Sequence, residues 1–367
     1  MKFKITVLPG DGVGPEVITE ALKVMDAAGS RHGHEFDLTY GKIGGIAIDE
    51  FGTALPDETA EMFDGADAIL FGAVGGPKWD DTRAAVRPED AILAMRKNLD
   101  AFANLRPVKV YPSLINSSPI KPHLLEGVDI MVVRELTSGL YFGSPKKVWN
   151  TSRGRRGVDT LKYTEKEIVR ILRVGFELAQ GRRKLLTSMD KANVLASGRL
   201  WREIATEMAE EYPDVELEHI YADNLAMQII RNPQHYDVIV GENTFGDIIS
   251  DEAAVLAGSL GMLPSACLAG TPKRGGVGGG GSVPALYEPI HGSAPDIVGQ
   301  GIANPIGTIL SMSMMLRHSL GLDDAADAVE RSVEGVLDEG YRTPDIAGGG
   351  GNVVDTTTMG DVIAGGV

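Results

Sequence analysis

The sequence predicts an α/β fold in two domains, and three observations carry that expectation. Short apolar runs alternate with segments of helical period along most of the chain, the pattern left by strands joined through helices. Runs such as GVDIMVVR (127–134) show almost no polar–apolar alternation, as in strands covered on both faces and paired largely in parallel. At 367 residues the chain is long for a single core, so two domains are expected.

The elements follow in order. Residues 4–8 read as a strand and 15–28 as a helix, with Pro15 in its first turn, where a missing N–H costs nothing. ADAILFGA (66–73) is a buried strand that the following Gly75-Gly76-Pro77 ends. Residues 88–98 have helical spacing, and Arg106-Pro107 closes a segment. After the strand at 127–134 comes an amphipathic helix at 164–178. Then follow a strand (183–189), a helix (200–212), a strand (216–221), a helix (224–231) and a strand (236–240). VWNTSRGRRGVDTL (148–161) is basic and reads as an exposed arm or hairpin, and GTPKRGGVGGGG (270–281) as a flexible loop. The long uncharged stretch 253–272 carries glycines, serines and Pro264, which suits a packed helix and loop better than a membrane span. No internal repeat is present.

Apolar residues make up 43% and charged residues 23%, a globular balance. A net charge of −16 repels nucleic-acid phosphates and anionic lipid, so neither is expected as a partner. An anionic substrate would therefore need a local cluster of arginines. The single cysteine, Cys267, excludes a disulfide scaffold and fits a reducing cytosol; in its Ala/Leu setting it reads as a buried thiol, not a nucleophile. MKFKITVLPGDG runs directly into a strand, with neither an apolar targeting core nor a cleavage site. A soluble, cytoplasmic protein is expected.

Several familiar motifs fail. LPGDGVGPEV (8–17) offers strand, glycines and helix, but a dinucleotide fingerprint starting at Gly10 needs glycine where Pro15 stands. The only Gly-Lys pair, Gly41-Lys42, is followed by Ile43, so there is no phosphate-binding P-loop. No two histidines stand four apart, which removes a zinc-protease helix.

The carboxylates are more informative. Asp247 and Asp251, in GENTFGDIISDEAA, stand four apart after a strand, where two like charges on one helix face repel. Asp223 lies where LEHIYAD gives way to the helix NLAMQII. The carboxyl ends of parallel strands open on one edge, where α/β proteins bind ligands, and aspartates there could hold a hard cation such as Mg²⁺ or Mn²⁺. Taken singly, the plainer reading is favoured for each: Asp223 and Asp247 as helix N-caps and Asp251 as a solvated charge. Arg96, Arg106 and Arg134 lie beside apolar segments, and Arg134 ends a buried strand, where a guanidinium needs a carboxylate. For Arg96 a surface or ion-pair role is as good. Tyr141 and Lys191 follow nearby strands and could titrate near neutrality in a dry pocket holding a metal.

Seven segments taken together carry a resemblance: LPGDGVGPEV, GAVGGPKWD (72–80), LRP (105–107), VRELTSGLYFG (133–143), DKANVL (190–195), ENTFGDIISDEA (242–253) and EPIHGSAPDIVGQGIANP (288–305). From end to end the chain resembles the isocitrate/isopropylmalate dehydrogenase family of metal-dependent β-hydroxyacid oxidative decarboxylases. The resemblance implies a fold that is not Rossmann, in which two domains share one large mixed sheet. Residues 1–101 and 258–367 would form the cofactor-side domain, and 102–257 the substrate, metal and dimerisation domain. It also implies a homodimer whose active sites draw on both subunits.

Carried over residue by residue, Arg96, Arg106 and Arg134 would hold the malate carboxylates. Asp247 and Asp251 of one subunit, with Asp223 of the other, would hold Mg²⁺ or Mn²⁺. Lys191 from the neighbouring subunit would work with Asp223 on the hydroxyl proton, and Tyr141, its acidity raised by the lysine and metal, would protonate the enol. Gly75, Gly76 and the segment His291, Gly292, Ser293, Ala294, Pro295, Asp296 to Asn304 would bind NAD, with Asp296 on the adenosine ribose, where NADP-dependent relatives generally carry lysine. In RPEDAILAMR (87–96), Ile92 and Leu93 match the apolar surface offered to an isopropyl group, and Glu89 the acidic position beside it. The implied reaction is NAD-dependent oxidative decarboxylation of (2R,3S)-3-isopropylmalate to 4-methyl-2-oxopentanoate and CO₂, in leucine biosynthesis. Oxidation of tartrate or D-malate is the alternative. The glycine-rich stretch 270–281 departs from the short turn of most relatives, at little cost to the fold.

Overall fold

The computed structural model describes residues 1–81, 83–272, 283–348 and 350–367. The strands are β1 (Lys2–Gly10), β2 (Glu35–Tyr40), β3 (Ala68–Ala73), β4 (Ala103–Lys109), β5 (Asp129–Glu135), β6 (Lys147–Thr151), β7 (Gly154–Val158), β8 (Leu185–Asp190), β9 (Glu216–Tyr221), β10 (Val238–Gly241), β11 (Pro264–Leu268) and β12 (Ala285–Pro289). The helices are α1 (Gly14–His32), α2 (Gly45–Phe51), α3 (Asp57–Glu61), α4 (Pro88–Asn98), α5 (Pro122–Leu125), α6 (Glu165–Gln180), α7 (Ala196–Ala209), α8 (Ala222–Arg231), α9 (Asn243–Ala254), α10 (Ile306–His318), α11 (Asp323–Asp338) and α12 (Thr356–Gly366).

Ten strands form one mixed sheet in the order β2-β1-β3-β12-β11-β4-β5-β10-β8-β9. Pairing is parallel at both ends and antiparallel in the middle, where β11 meets β12 and β4, and β4 meets β5. The expectation of largely parallel pairing thus fails at the centre of the sheet. β4 and β11 were not foreseen: β4 was read only as the segment that Arg106-Pro107 closes, and β11 lies inside the stretch read as helix and loop. Among the described residues no helix is long and apolar enough to cross a membrane.

The register of the parallel strands sets the functional edge. Gly241 of β10 lies opposite Arg134 of β5 and Met189 of β8, and Asp190 lies opposite Tyr221 of β9. The chain therefore leaves four neighbouring strands along one edge, entering α9 after β10, the 191–195 turn after β8 and α8 after β9. Their burial explains the lack of alternation: β3 and β10 are buried along their whole length, with α6 and α9 among the helices packed against β5 and β10.

Local signals place the helices. Thr164 caps α6 in a reciprocal box: its hydroxyl accepts from the Glu167 N–H while the Glu167 carboxylate accepts from the Thr164 N–H at 2.7 Å. Such a cap is worth about 1 kcal/mol, and α6 buries Ile168, Ile171, Leu172, Val174 and Phe176 below it. α7 begins four residues earlier than its spacing suggested, with Gly198 tolerated because a Cβ there would press on the Lys191 backbone at 2.8 Å. α10 is buried from Ile306 to Leu316, a helix apolar on all sides as a central layer requires. The basic stretch 148–161 contains the antiparallel hairpin β6–β7, with every residue of β7 exposed. Of the glycine-rich stretch 270–281, residues 273–281 lie outside the described residues.

Candidate active site

The site is built around α9. Its N-terminus is fixed by Glu242, whose carboxylate caps the Phe245 and Thr244 N–H groups at 2.9 and 3.1 Å. The buried Tyr163 hydroxyl lies 3.2 Å from both Glu242 and Glu135 and accepts from the Asn243 N–H at 2.8 Å. Burial pushes both carboxyls and this phenol upward, so the network is a dry anchor. Gly246 is an interior residue of α9, not the end of a loop: a Cβ there would meet Arg134 side-chain carbons at 3.0 and 3.1 Å. That close approach delivers Asp247, one residue on, to β5. Asp247 and Asp223 are not helix caps, since Glu242 caps α9 and no side chain caps α8.

Arg134 reaches Asp247 Oδ1 through Nη1, while its Nε and Nη2 donate to Asn243 Oδ1 at 3.0 and 2.8 Å. Arg106 donates to Asn104 Oδ1 at 2.7 Å, Ser250 Oγ at 2.7 Å and Asp251 Oδ1 at 3.1 Å, with Asp247 Oδ1 at 3.5 Å. Both guanidiniums are buried, whereas Asp247 is 30% and Asp251 60% exposed. Burial and repulsion from Arg106 pull Arg134 down to about 10, so it stays charged at neutral pH. Burial raises Asp251 despite the neighbouring Arg106. Tyr141 donates to Asp247 Oδ2 at 3.3 Å, and the Arg134 guanidinium lies 5.9 Å from its ring centroid. Its phenol is held above its usual value by burial and by Asp247. Within the single chain Lys191 is paired elsewhere, with Asp223.

Arg96, on α4, is half-buried, with 12% of its side chain exposed. Burial alone would lower it, but Glu288 at 3.1 Å raises it on balance. Glu288 further meets the fully buried Cys267 at 3.3 Å, whose thiol burial pushes up to about 12 and keeps protonated. The Arg96 Nε is buried without a partner among the described residues, an unused donor beside the cluster.

Lys191 and Asp223 form a second, separate pair at 2.6 Å, with Asp223 69% exposed. The lysine hydrogen bond holds the Asp223 carboxyl below its usual range. Among the described residues no group of three or more His, Cys, Asp or Glu side chains is placed to hold a metal ion. One chain therefore supplies two neighbouring hard oxygen donors, Asp247 and Asp251, which fit a divalent cation as part of a ligand set. Asp223 does not join them within the chain.

The third group surrounds the loop after β3. A Cβ built on Gly75, at φ +109, would lie 3.6 Å from Glu89 Oε1 and 3.7 Å from Ser293 Oγ, so these three residues share one surface. Gly292 has open space where its Cβ would be, Ala294 sits at φ +40, and the buried His291 Nε2 has no partner among the described residues. Burial lowers His291, keeping it neutral at pH 7. An open glycine cradle and an unused imidazole nitrogen fit a dinucleotide. Pro295 and Asp296 are exposed, and no helix follows for Asp296 to cap. Ile92 and Leu93 are half-buried on α4, with Ile92 packed against the core. Gly76 opens the 77–79 turn onto Trp79. Asn304 turns inward: its side-chain oxygen accepts from the Ile306 N–H (3.0 Å) and its amide nitrogen donates to Asp345 (3.0 Å).

Sequence reasoning missed Asn104, Asn243, Ser250 and Glu288, which hold the arginines, and Asp11, which holds Gly75. A polar residue inside an apolar strand (Asn104) or one turn from a buried arginine's carboxylate (Ser250) is a legible signal, because a buried guanidinium needs several acceptors.

The isocitrate/isopropylmalate dehydrogenase family model matches residues 4–363. A 3-isopropylmalate dehydrogenase of Geobacillus kaustophilus is 56% identical over 97% of this chain and 93% of its own length. One of Carboxydothermus hydrogenoformans is 57% identical over 99% of this chain and 94% of its own. The crystal structure of an isocitrate dehydrogenase from Methylococcus capsulatus has a TM-score of 0.84 at 34% identity, covering 99% of both chains.

Proposed function

This chain belongs to the isocitrate/isopropylmalate dehydrogenase family, and on that premise we propose how its side chains divide the reaction. It is an oxidoreductase that oxidatively decarboxylates 3-isopropylmalate to 4-methyl-2-oxopentanoate and CO₂, in leucine biosynthesis. Its relatives do not favour tartrate or D-malate oxidation.

The observation that carries the site reading is the buried pair Arg106–Arg134 facing Asp247 and Asp251, with Tyr141 alongside. Two guanidiniums and two carboxylates sum to zero charge. A substrate dianion and a divalent cation also sum to zero, so the cluster admits them together without a net buried charge. Arg106 and Arg134 hold their planes through Asn104 and Asn243, neutral acceptors that add no further negative charge to the cluster. Arg96, with its unused Nε, completes the set.

When bound, Mg²⁺ or Mn²⁺ would supply Lewis-acid chemistry at the C2 oxygen, and NAD⁺ would be the hydride acceptor. Asp247 and Asp251, with Asp223 of a second copy, would hold the cation. Lys191 and Asp223 of that copy remove the C2 hydroxyl proton, and the Tyr141 phenol, which retains its proton, delivers it to C3 after CO₂ leaves. Leu93 and Ile92 offer apolar surface to the isopropyl group, and Glu89 stands between that surface and the nicotinamide side. Gly75, Gly76 and residues 291–296 bind NAD⁺, with Asp296 accepting from the ribose hydroxyls; Asn304 acts by shaping this loop, given its inward bonds. Residues 1–101 and 258–367 act as the cofactor-side domain and 102–257 as the substrate and dimer domain. A homodimer in the cytosol is the working form, in keeping with one buried, free cysteine.

The test is NADH formation from 3-isopropylmalate against D-malate. The expected result is faster turnover of 3-isopropylmalate, abolished by a chelator and restored by Mg²⁺. Faster turnover of D-malate would overturn the substrate, and activity indifferent to chelation the metal.

A further inference from the structure

Asp11 is a buried carboxylate, 5% exposed, in the LPGDG turn that fails as a dinucleotide fingerprint. It makes no ion pair among the described residues. Its oxygens instead accept three backbone N–H groups from two separate segments, the first turn of α2 and the loop after β3. Oδ2 takes Gly45 at 2.7 Å and Gly75 at 2.9 Å, and Oδ1 takes Ile46 at 2.9 Å. A Cβ on Gly44 would lie 2.5 Å from Oδ2, so the loop approaches the carboxylate more closely than any side chain allows. The next residues seize a third segment: the Val13 N–H donates to the Ser293 carbonyl at 2.9 Å, and a Cβ on Gly12 would lie 2.1 Å from that oxygen.

Three consecutive residues thus set the spacing between Gly75 and Ser293, the two sides of the open glycine cradle that also faces Glu89. A charged acceptor holding several backbone donors is worth more than neutral bonds and fixes direction as well as distance. We infer that Asp11 is a positioning residue for the dinucleotide: it holds the Gly75 turn at the separation from the 291–296 loop that the cofactor requires. This rests on the reading of those two segments as the NAD⁺ site. Asp11 itself touches neither cofactor nor substrate in this account.

The experiment uses the full-length enzyme and NADH as probe, followed by fluorescence without substrate or metal, alongside steady-state kinetics. Asp11→Asn replaces one acceptor oxygen by a donor that opposes a backbone N–H. Asp237→Asn is the control, a buried carboxylate paired with Arg182 at 2.8 Å on the 182–184 turn. The expected result for Asp11→Asn is an NADH Kd and a KM for NAD⁺ raised about tenfold, roughly one charge-assisted bond's worth. The KM for 3-isopropylmalate stays within about twofold, the scale of effects with no shared contact. Asp237→Asn lowers Tm and leaves both constants in place. If Asp11→Asn does not fold, Asp11→Ser, which keeps a short acceptor, is read the same way. Variant NADH binding equal to wild type overturns the proposal, as do cofactor and substrate constants moving together in both variants. A wild-type enzyme that binds no NADH overturns the dinucleotide reading and the proposal with it.

Discussion

The candidate site has two cation–carboxylate pairings of opposite character. Arg134 and Asp247 lie inside the chain, the arginine buried and supported by Asn243, with Tyr141 on the carboxylate's other oxygen. Lys191 and Asp223 meet at 2.6 Å at the surface, the lysine side chain 23% and the aspartate 69% exposed. The inner pair is pre-organised in a low dielectric, where removing one partner strands the other. The outer pair is a single contact in water, the kind that adds little to stability. Stability therefore explains the first geometry and leaves the second without a reason inside one chain. A short, exposed lysine–aspartate pair next to the sheet edge makes sense as half of a site completed by another copy.

The largest effect should come from the inner half. Arg134→Ala leaves Asp247 without its main partner and removes a desolvated anchor for substrate. Truncating one member of such a pair costs about 2–5 kcal/mol, so kcat/KM for 3-isopropylmalate should fall roughly thirty- to five-thousandfold. Circular dichroism and Tm check that the fold survives. A loss of less than about tenfold would remove Arg134 from the substrate and leave it a structural arginine.

The outer half offers a sharper test, because it separates one chain from two. Lys191→Met should lower kcat by roughly a hundredfold or more, the usual contribution of a positioned proton carrier, while Tm stays at the wild-type value. Asp247→Asn should be inactive for a different reason, having lost a metal ligand. Mixing the two inactive variants after subunit exchange decides the matter. If sites are shared, a mixed dimer carries one intact site, and random pairing restores roughly a quarter of wild-type activity. Silence in the mixture would mean that Lys191 and Asp247 serve one site from a single chain, which the separation of the two pairs would then have to accommodate by movement.

How legible this was in the sequence depended on whether the cause was local. α4, running from Pro88 to Asn98, and β9, from Glu216 to Tyr221, fall where pattern alone put them, because proline, helical period and short apolar runs are local signals. β11 was hidden: PSACL is five buried residues whose strand character comes from pairing with β4 and β12, far away in sequence. The arginines were visible as charges beside apolar runs, but their acceptors were not, since Asn104, Asn243 and Ser250 become partners only when β4, β5 and α9 meet. The Asp247–Asp251 spacing was read as a helical face, yet what brings that face to Arg134 is Gly246, a contact no spacing rule encodes. At Asn304 the motif suggests a cofactor contact, while the side-chain amide is committed to Ile306 and Asp345, a pairing no motif encodes.

The smallest effect should lie on the wet cofactor side, at Asp296. Its side chain is exposed, no helix follows for it to cap, and the Gln300 amide bonds its carbonyl, not its carboxylate. Asp296→Lys should therefore leave Tm unchanged, in contrast to substitutions in the dry cluster. In its proposed place on the ribose, the carboxylate accepts hydroxyl hydrogens and repels a 2′-phosphate, and lysine reverses both effects. Because solvent screens the new charge, the gain is modest: the ratio of kcat/KM for NADP⁺ to that for NAD⁺ should rise about tenfold, near 1.4 kcal/mol. Raising the ionic strength should shrink the shift, as it would not for Arg134→Ala. A ratio unchanged at low salt would take Asp296 off the ribose while leaving the inner cluster untouched, so the two halves of the site stand or fall on separate measurements.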